Sequence, residues 1–129
     1  MNYESYKSAY DATLADELLL SEELATLSKE HKSLENKICK VLSIYLELKQ
    51  NYDYMVKKAK VVDIKTFKTI KAAVVDSLKI KESLEVQKHK NIASSMKTSS
   101  NLELVKVKLQ NLKQIGSSFG KLYSFRTGK

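Results

Sequence analysis

Two histidines, His31 and His89, and one cysteine, Cys39, are the side chains of this chain best suited to proton transfer, nucleophilic attack or soft-metal binding. Structural zinc needs four converging ligands, and a lone cysteine offers no paired thiolates. A carboxylate-bridged metal pair in a helical bundle needs Glu-x-x-His, but Ser28 and Val86 stand three residues before the two histidines. Cys39 lies two helical turns beyond His31, too far for a thiol–imidazole proton transfer. A phosphate-cradling loop needs glycines ahead of a helix, whereas Gly116, Gly120 and Gly128 all fall near the C-terminal end. These residues predict no enzyme, no metal site and no cofactor.

His31 has two further readings. As a polar residue in an apolar stripe it can set register, and as an imidazole it can act as a pH switch. The simpler expectation is a ring that packs while its nitrogen finds water or Glu35. Cys39 follows an apolar position and reads as a half-buried spacer, because only Lys37 and Lys40 are near enough to activate it.

A second chemistry is suggested by lysine. Lys57, Lys58, Lys60, Lys65, Lys68 and Lys71 cluster around Tyr45, Tyr52, Tyr54 and Phe67, a combination that suits phosphate contacts with base stacking. Arg126 is the only arginine, whereas bidentate recognition of phosphate and base edges favours that residue. Tyr45 and Tyr52 also fall on an apolar stripe. Nucleic-acid binding through this basic segment is therefore the alternative reading. A membrane-surface helix is not expected, since tryptophan is absent and the apolar face is narrow.

The elements that would carry these residues are helical. Leu20, Leu24, Leu27, His31, Leu34, Ile38, Val41, Tyr45, Leu48, Tyr52 and Met55 alternate in steps of three and four, continuing through Ala59 and Val62. Six heptads in phase predict a coiled-coil seam. Tyr3, Tyr6 and Tyr10 extend it backwards across a weak link at Thr13 and Glu17. A helix over 20–62 would run about 64 Å, so it needs a partner alongside. Asp63 reads as the N-cap of a second helix with a stripe at Ile64, Phe67, Ile70, Val74 and Leu78. Ser100 and Glu103 match a capping box opening a third, with Leu102, Val105, Leu109, Leu112 and Ile115 on one face and Gly116 as its stop.

The expected fold is thus all-α, a long antiparallel helical hairpin or coiled coil of about three helices (about 2–60, 63–97 and 101–115). Residues 1–115 form the helical domain and 116–129 an extended tail. Two segments, "SLKIKESLEVQ" and "LELVKVKL", also alternate at period two, but no glycine or proline turn bounds them as strands. Charge supports folding back. Residues 1–35 hold three lysines against eight acids, while 98–129 hold six basic residues against Glu103. Antiparallel packing brings these opposite charges together and leaves a basic tip. Whether the seam is filled within one chain or between parallel copies stays open at this level, because the same heptad serves both.

Phe119, Leu122, Tyr123, Phe125 and Arg126 in the tail are the residues expected to bind a partner, by adding a strand to another protein's sheet edge. The implied role is a structural or adaptor subunit of a larger protein assembly, with a virion component as the leading example and homo-oligomerisation expected. An export or assembly chaperone that holds a client helix is a further alternative. The acidic N-terminal stretch lacks a signal-peptide pattern, and one cysteine makes no internal disulfide, so a cytoplasmic or virion-borne protein is expected.

Overall fold

The computed structural model describes the backbone of residues 2–58 and 63–126, and the side chains of these as far as Leu122. Two long helices account for nearly all of it: α1 (Tyr3–Lys57) and α2 (Ile64–Arg126). The chain has no proline, so neither helix meets a residue that lacks its backbone donor. Each helix starts on a side-chain cap. Ser5 N–H donates to Asn2 Oδ1 at 2.7 Å, and Thr66 N–H donates to Asp63 Oδ1 at 2.6 Å. Asp63 is therefore the N-cap that the sequence implies.

The chain divides into two compact units. One holds 1–28 with 94–129, and the other holds 29–93. In the 29–93 unit, Tyr52 stacks on Phe67 with ring centroids 5.2 Å apart, and Glu35 pairs with Lys88 at 3.5 Å. The late residues of α1 meet the early residues of α2 and earlier ones meet later ones, so this unit is an antiparallel helical hairpin. In the other unit, Phe119 sits against Tyr3 and Tyr6, and Glu23 meets Thr98. The pairing is again antiparallel.

The α1 seam follows the expected heptad. Leu20, Leu24, Leu27, His31, Leu34, Ile38, Val41, Tyr45, Leu48, Tyr52 and Met55 are all half-buried, and Tyr6, Tyr10, Thr13 and Glu17 continue the same spacing. Ala59 and Val62 lie outside the described residues. Thr13, which looked like a weak link, is the most buried side chain, at 1% exposure. Its hydroxyl donates back to the Ala9 carbonyl at 2.7 Å, so a short polar side chain can occupy a tight layer without losing its hydrogen bond.

On α2 the structure departs from expectation. Among the described residues there is no third helix. Ser100 and Glu103 are exposed residues within α2 rather than a cap, and Gly116 and Gly120 lie inside the helix rather than after it. Both period-two segments are helical as well. Counting from Phe67, the non-exposed seam positions are Ile70, Val74, Ser77, Lys81, Leu84, Lys88, Asn91, Ser95, Thr98, Leu102, Val105, Leu109, Leu112, Gly116 and Phe119. That is one unbroken heptad whose middle is polar. Ile64 and Ile115, assigned to the stripe from sequence, lie off it and are exposed.

As far as Arg126 the tail is accordingly not extended, and 127–129 lie outside the described residues. Residues 116–126 complete α2, and Phe119 packs within its own unit. A segment locked in helical hydrogen bonds has no free backbone to add to a sheet edge. Leu122 is exposed, while the side chains of Tyr123, Phe125 and Arg126 lie outside the described residues.

Candidate functional site: the apolar and basic surfaces

The seam sets how well each unit buries itself. Leu102, Leu109 and Leu112 are the buried hydrophobic residues, all in the 1–28/94–129 unit. Opposite the polar middle of α2, leucines of α1 meet short or charged side chains. Three α2 seam residues instead take partners from acids flanking the α1 seam. Thr98 Oγ1 donates to Glu23 Oε1 at 3.2 Å, Asn91 Nδ2 donates to Glu30 Oε2 at 3.5 Å, and Lys88 Nζ lies 3.5 Å from Glu35 Oε1. His31 Nε2, one helical turn earlier on α1, lies 2.9 Å from that same Glu35 Oε1. His31 thus does what the simpler reading expects: it packs on the seam and meets Glu35.

These polar layers fix register. Sliding one helix by a heptad would keep leucines on the seam but would separate Thr98, Asn91 and Lys88 from their acids. Sequence reasoning missed them because it looked for apolar residues alone. The usable signal was a stretch of Ser, Lys, Asn and Thr in heptad phase, matched to Glu23, Glu30 and Glu35 beside the α1 leucines.

Near the start of α2 the tyrosine and lysine groups separate. Tyr52 and Phe67 stack on each other, and Tyr45 is half-buried with Lys49 Nζ 5.9 Å from its ring centre. Tyr54 remains exposed. Lys57, Lys58, Lys65, Lys68 and Lys71 are all exposed on the 29–93 unit, whereas Lys60 lies outside the described residues. Cys39 is an exposed free thiol, more open than the half-buried spacer the sequence suggests.

Other surfaces are apolar. Leu14, Leu18, Leu19, Leu104, Val107, Ile115 and Leu122 are exposed on the 1–28/94–129 unit. Beside the last two, Ile115, Ser118, Phe119 and Leu122 line an open apolar depression of about 300 Å³. Among the described residues no group of His, Cys, Asp or Glu gathers to hold a metal ion. No described helix is long and apolar enough to cross a membrane. Comparison with protein-family models, with curated proteins and with solved structures finds no match.

Proposed function

We propose that the protein is a helical scaffold or adaptor subunit of a larger protein assembly, such as a virion, and that it works by binding rather than by catalysis. The observation that supports this reading is the mismatch between its seam and its surface. Among the described residues three leucines are buried, while nine large hydrophobic side chains of the same unit, Tyr3 and Met96 among them, stay exposed. Exposed apolar surface of this kind marks protein-interaction sites. The C-terminal turns remain the proposed docking element, now as the end of a helix. The test is to express the tagged chain at native level in its own source and size-fractionate under mild conditions. Co-migration with a complex much larger than a dimer, lost on Tyr123→Asp with Phe125→Asp, is expected. Free migration of the wild-type chain overturns the reading.

A second reading rests on the five exposed lysines near the start of α2, which would contact phosphates of a nucleic acid. The mutual stacking of Tyr52 and Phe67 occupies two of the rings that would otherwise stack on bases. This reading predicts duplex binding that weakens steeply from low to moderate salt and disappears on replacing Lys65, Lys68 and Lys71 by glutamine. Binding that ignores salt or survives those changes rules it out. A chaperone holding a client helix against the exposed apolar residues is a variant of the first reading.

A further inference from the structure

The 1–28/94–129 unit has two flanks beside its seam, and they differ in charge. Tyr6 meets Phe119 and lies against Gly116, and Glu23 meets Thr98, which fixes the level of each α1 residue against α2. By heptad geometry one flank carries six charged residues, Glu4, Lys7, Asp11, Glu103, Lys106 and Lys113, beside the exposed Leu14, Leu18 and Met96. The other carries Ala9, Ala12 and Leu19 from α1 and Leu104, Ile115 and Leu122 from α2. This flank has four charged residues: Asp16 and Lys108 stand among its apolar residues, and Glu23 and Lys97 lie beyond them, all exposed.

We infer that this second flank is the interface of a homodimer, in which two copies pack face to face about a two-fold axis running along the helices to make a four-helix bundle. The inference rests on the assembly reading and names its first partner as a second copy of this chain. Two observations carry it. The first is relief. Ala9 and Ala12 form a low floor on α1, and Ile115 and Leu122 form a ridge on α2 beside the 300 Å³ depression. A floor and a ridge on the same face are self-complementary under a two-fold, as an isologous interface requires.

The second is charge. An axis along the helices keeps residue levels and sets α1 of one copy against α2 of the other. Ala9 then faces Ile115, Ala12 faces Asn111, Leu19 faces Leu104, and Asp16 faces Lys108, each twice. An axis across the helices would instead oppose α1 to α1 and forfeit both the ridge-on-floor fit and the two ion pairs.

The test uses the full chain in sedimentation equilibrium at low salt, where surface charges are least screened. The wild-type chain is expected as a dimer. Ile115→Glu is expected to sediment as a monomer with its helical circular dichroism retained. Asp16→Lys opposes two lysines to two, and Lys108→Asp opposes two aspartates to two, so each alone should weaken the dimer at least tenfold. An equimolar mixture restores both attractive pairs and should recover wild-type affinity as a heterodimer. That rescue cannot come from contacts within one chain. A monomeric wild type, or a mixture no tighter than its components, overturns the second copy as occupant. The assembly reading fails separately, if the wild-type chain migrates free in its own source.

Discussion

The ring of Tyr6 occupies the space that a side chain at position 116 would fill: a Cβ built on Gly116 would meet its hydroxyl and lie 2.9 Å from Cζ. Tyr6 also leans on Tyr3, Tyr10 and Phe119, with ring centres 6.1, 6.0 and 5.4 Å away. Gly116 is therefore a packing residue on the seam, and not a helix stop. Small-for-large matching lets a bulky ring cross a two-helix interface without forcing the helices apart.

That relationship separates the two helical glycines. Nothing lies within 4 Å of a Cβ at Gly120, so Gly120→Ala should stabilise by about 0.5–1 kcal/mol through helix propensity. Gly116→Ala should destabilise, because Tyr6 must give up its ring contacts to make room. Adding Tyr6→Phe should recover part of that loss, measured as a non-additive urea midpoint in a double-mutant cycle.

Burial ranks the leucines of α2. Leu109 and Leu112 are each 6% exposed, and truncating either to alanine should cost about 2–4 kcal/mol. Val107, on the far side of the helix, is 54% exposed, and Val107→Ala should change stability by less than about 0.5 kcal/mol. Equal thermal shifts for the two kinds of variant would contradict the seam.

Register depends on the polar layers. Asn91→Leu should raise the melting temperature, since it replaces a buried amide with apolar volume, but should broaden the distribution of oligomers. Thr98 and Glu23 should show a coupling of about 0.5–1.5 kcal/mol in a cycle of Thr98→Val and Glu23→Gln. A coupling of zero would remove that layer from the account.

Acid should loosen the first turn of α2. The Asp63 carboxylate accepts the Thr66 N–H, which holds its pKa below the ordinary 3.8. A depressed carboxylate contributes fully above its unfolded-state value and loses that contribution as pH falls through the folded one. Protection of the Thr66 amide, taken relative to its intrinsic exchange rate at each pH, should therefore hold above about pH 4 and fall below it. Asp63→Asn keeps the cap and should abolish this pH dependence.

The α1 seam was legible in the sequence because leucine and tyrosine at steps of three and four suffice to orient a helix. The second half was not. Ser77, Lys81, Lys88, Asn91, Ser95 and Thr98 are poor seam residues judged singly; Lys88, Asn91 and Thr98 became acceptable through Glu35, Glu30 and Glu23 on the other helix, and Ser77 and Lys81 through the Val74 carbonyl and Glu85 on their own. Ser100 to Glu103 has the local form of a cap, and Gly116 the local form of a stop. Tertiary packing overrode both, since Leu102 and Phe119 bury only if the helix continues past them.

Composition and periodicity alone determined that the chain is helical, that it needs a partner along α1 and that Asp63 opens α2, because each of these follows from neighbours within a few residues. Only the tertiary structure decided that two helices rather than three are present and that the glycines are interior. It also decided which residues flank the seam on each side. Those outcomes turn on which side chain of one helix lies level with which of the other. That level is set by the Tyr6–Gly116 and Glu23–Thr98 contacts, between residues far apart in the chain.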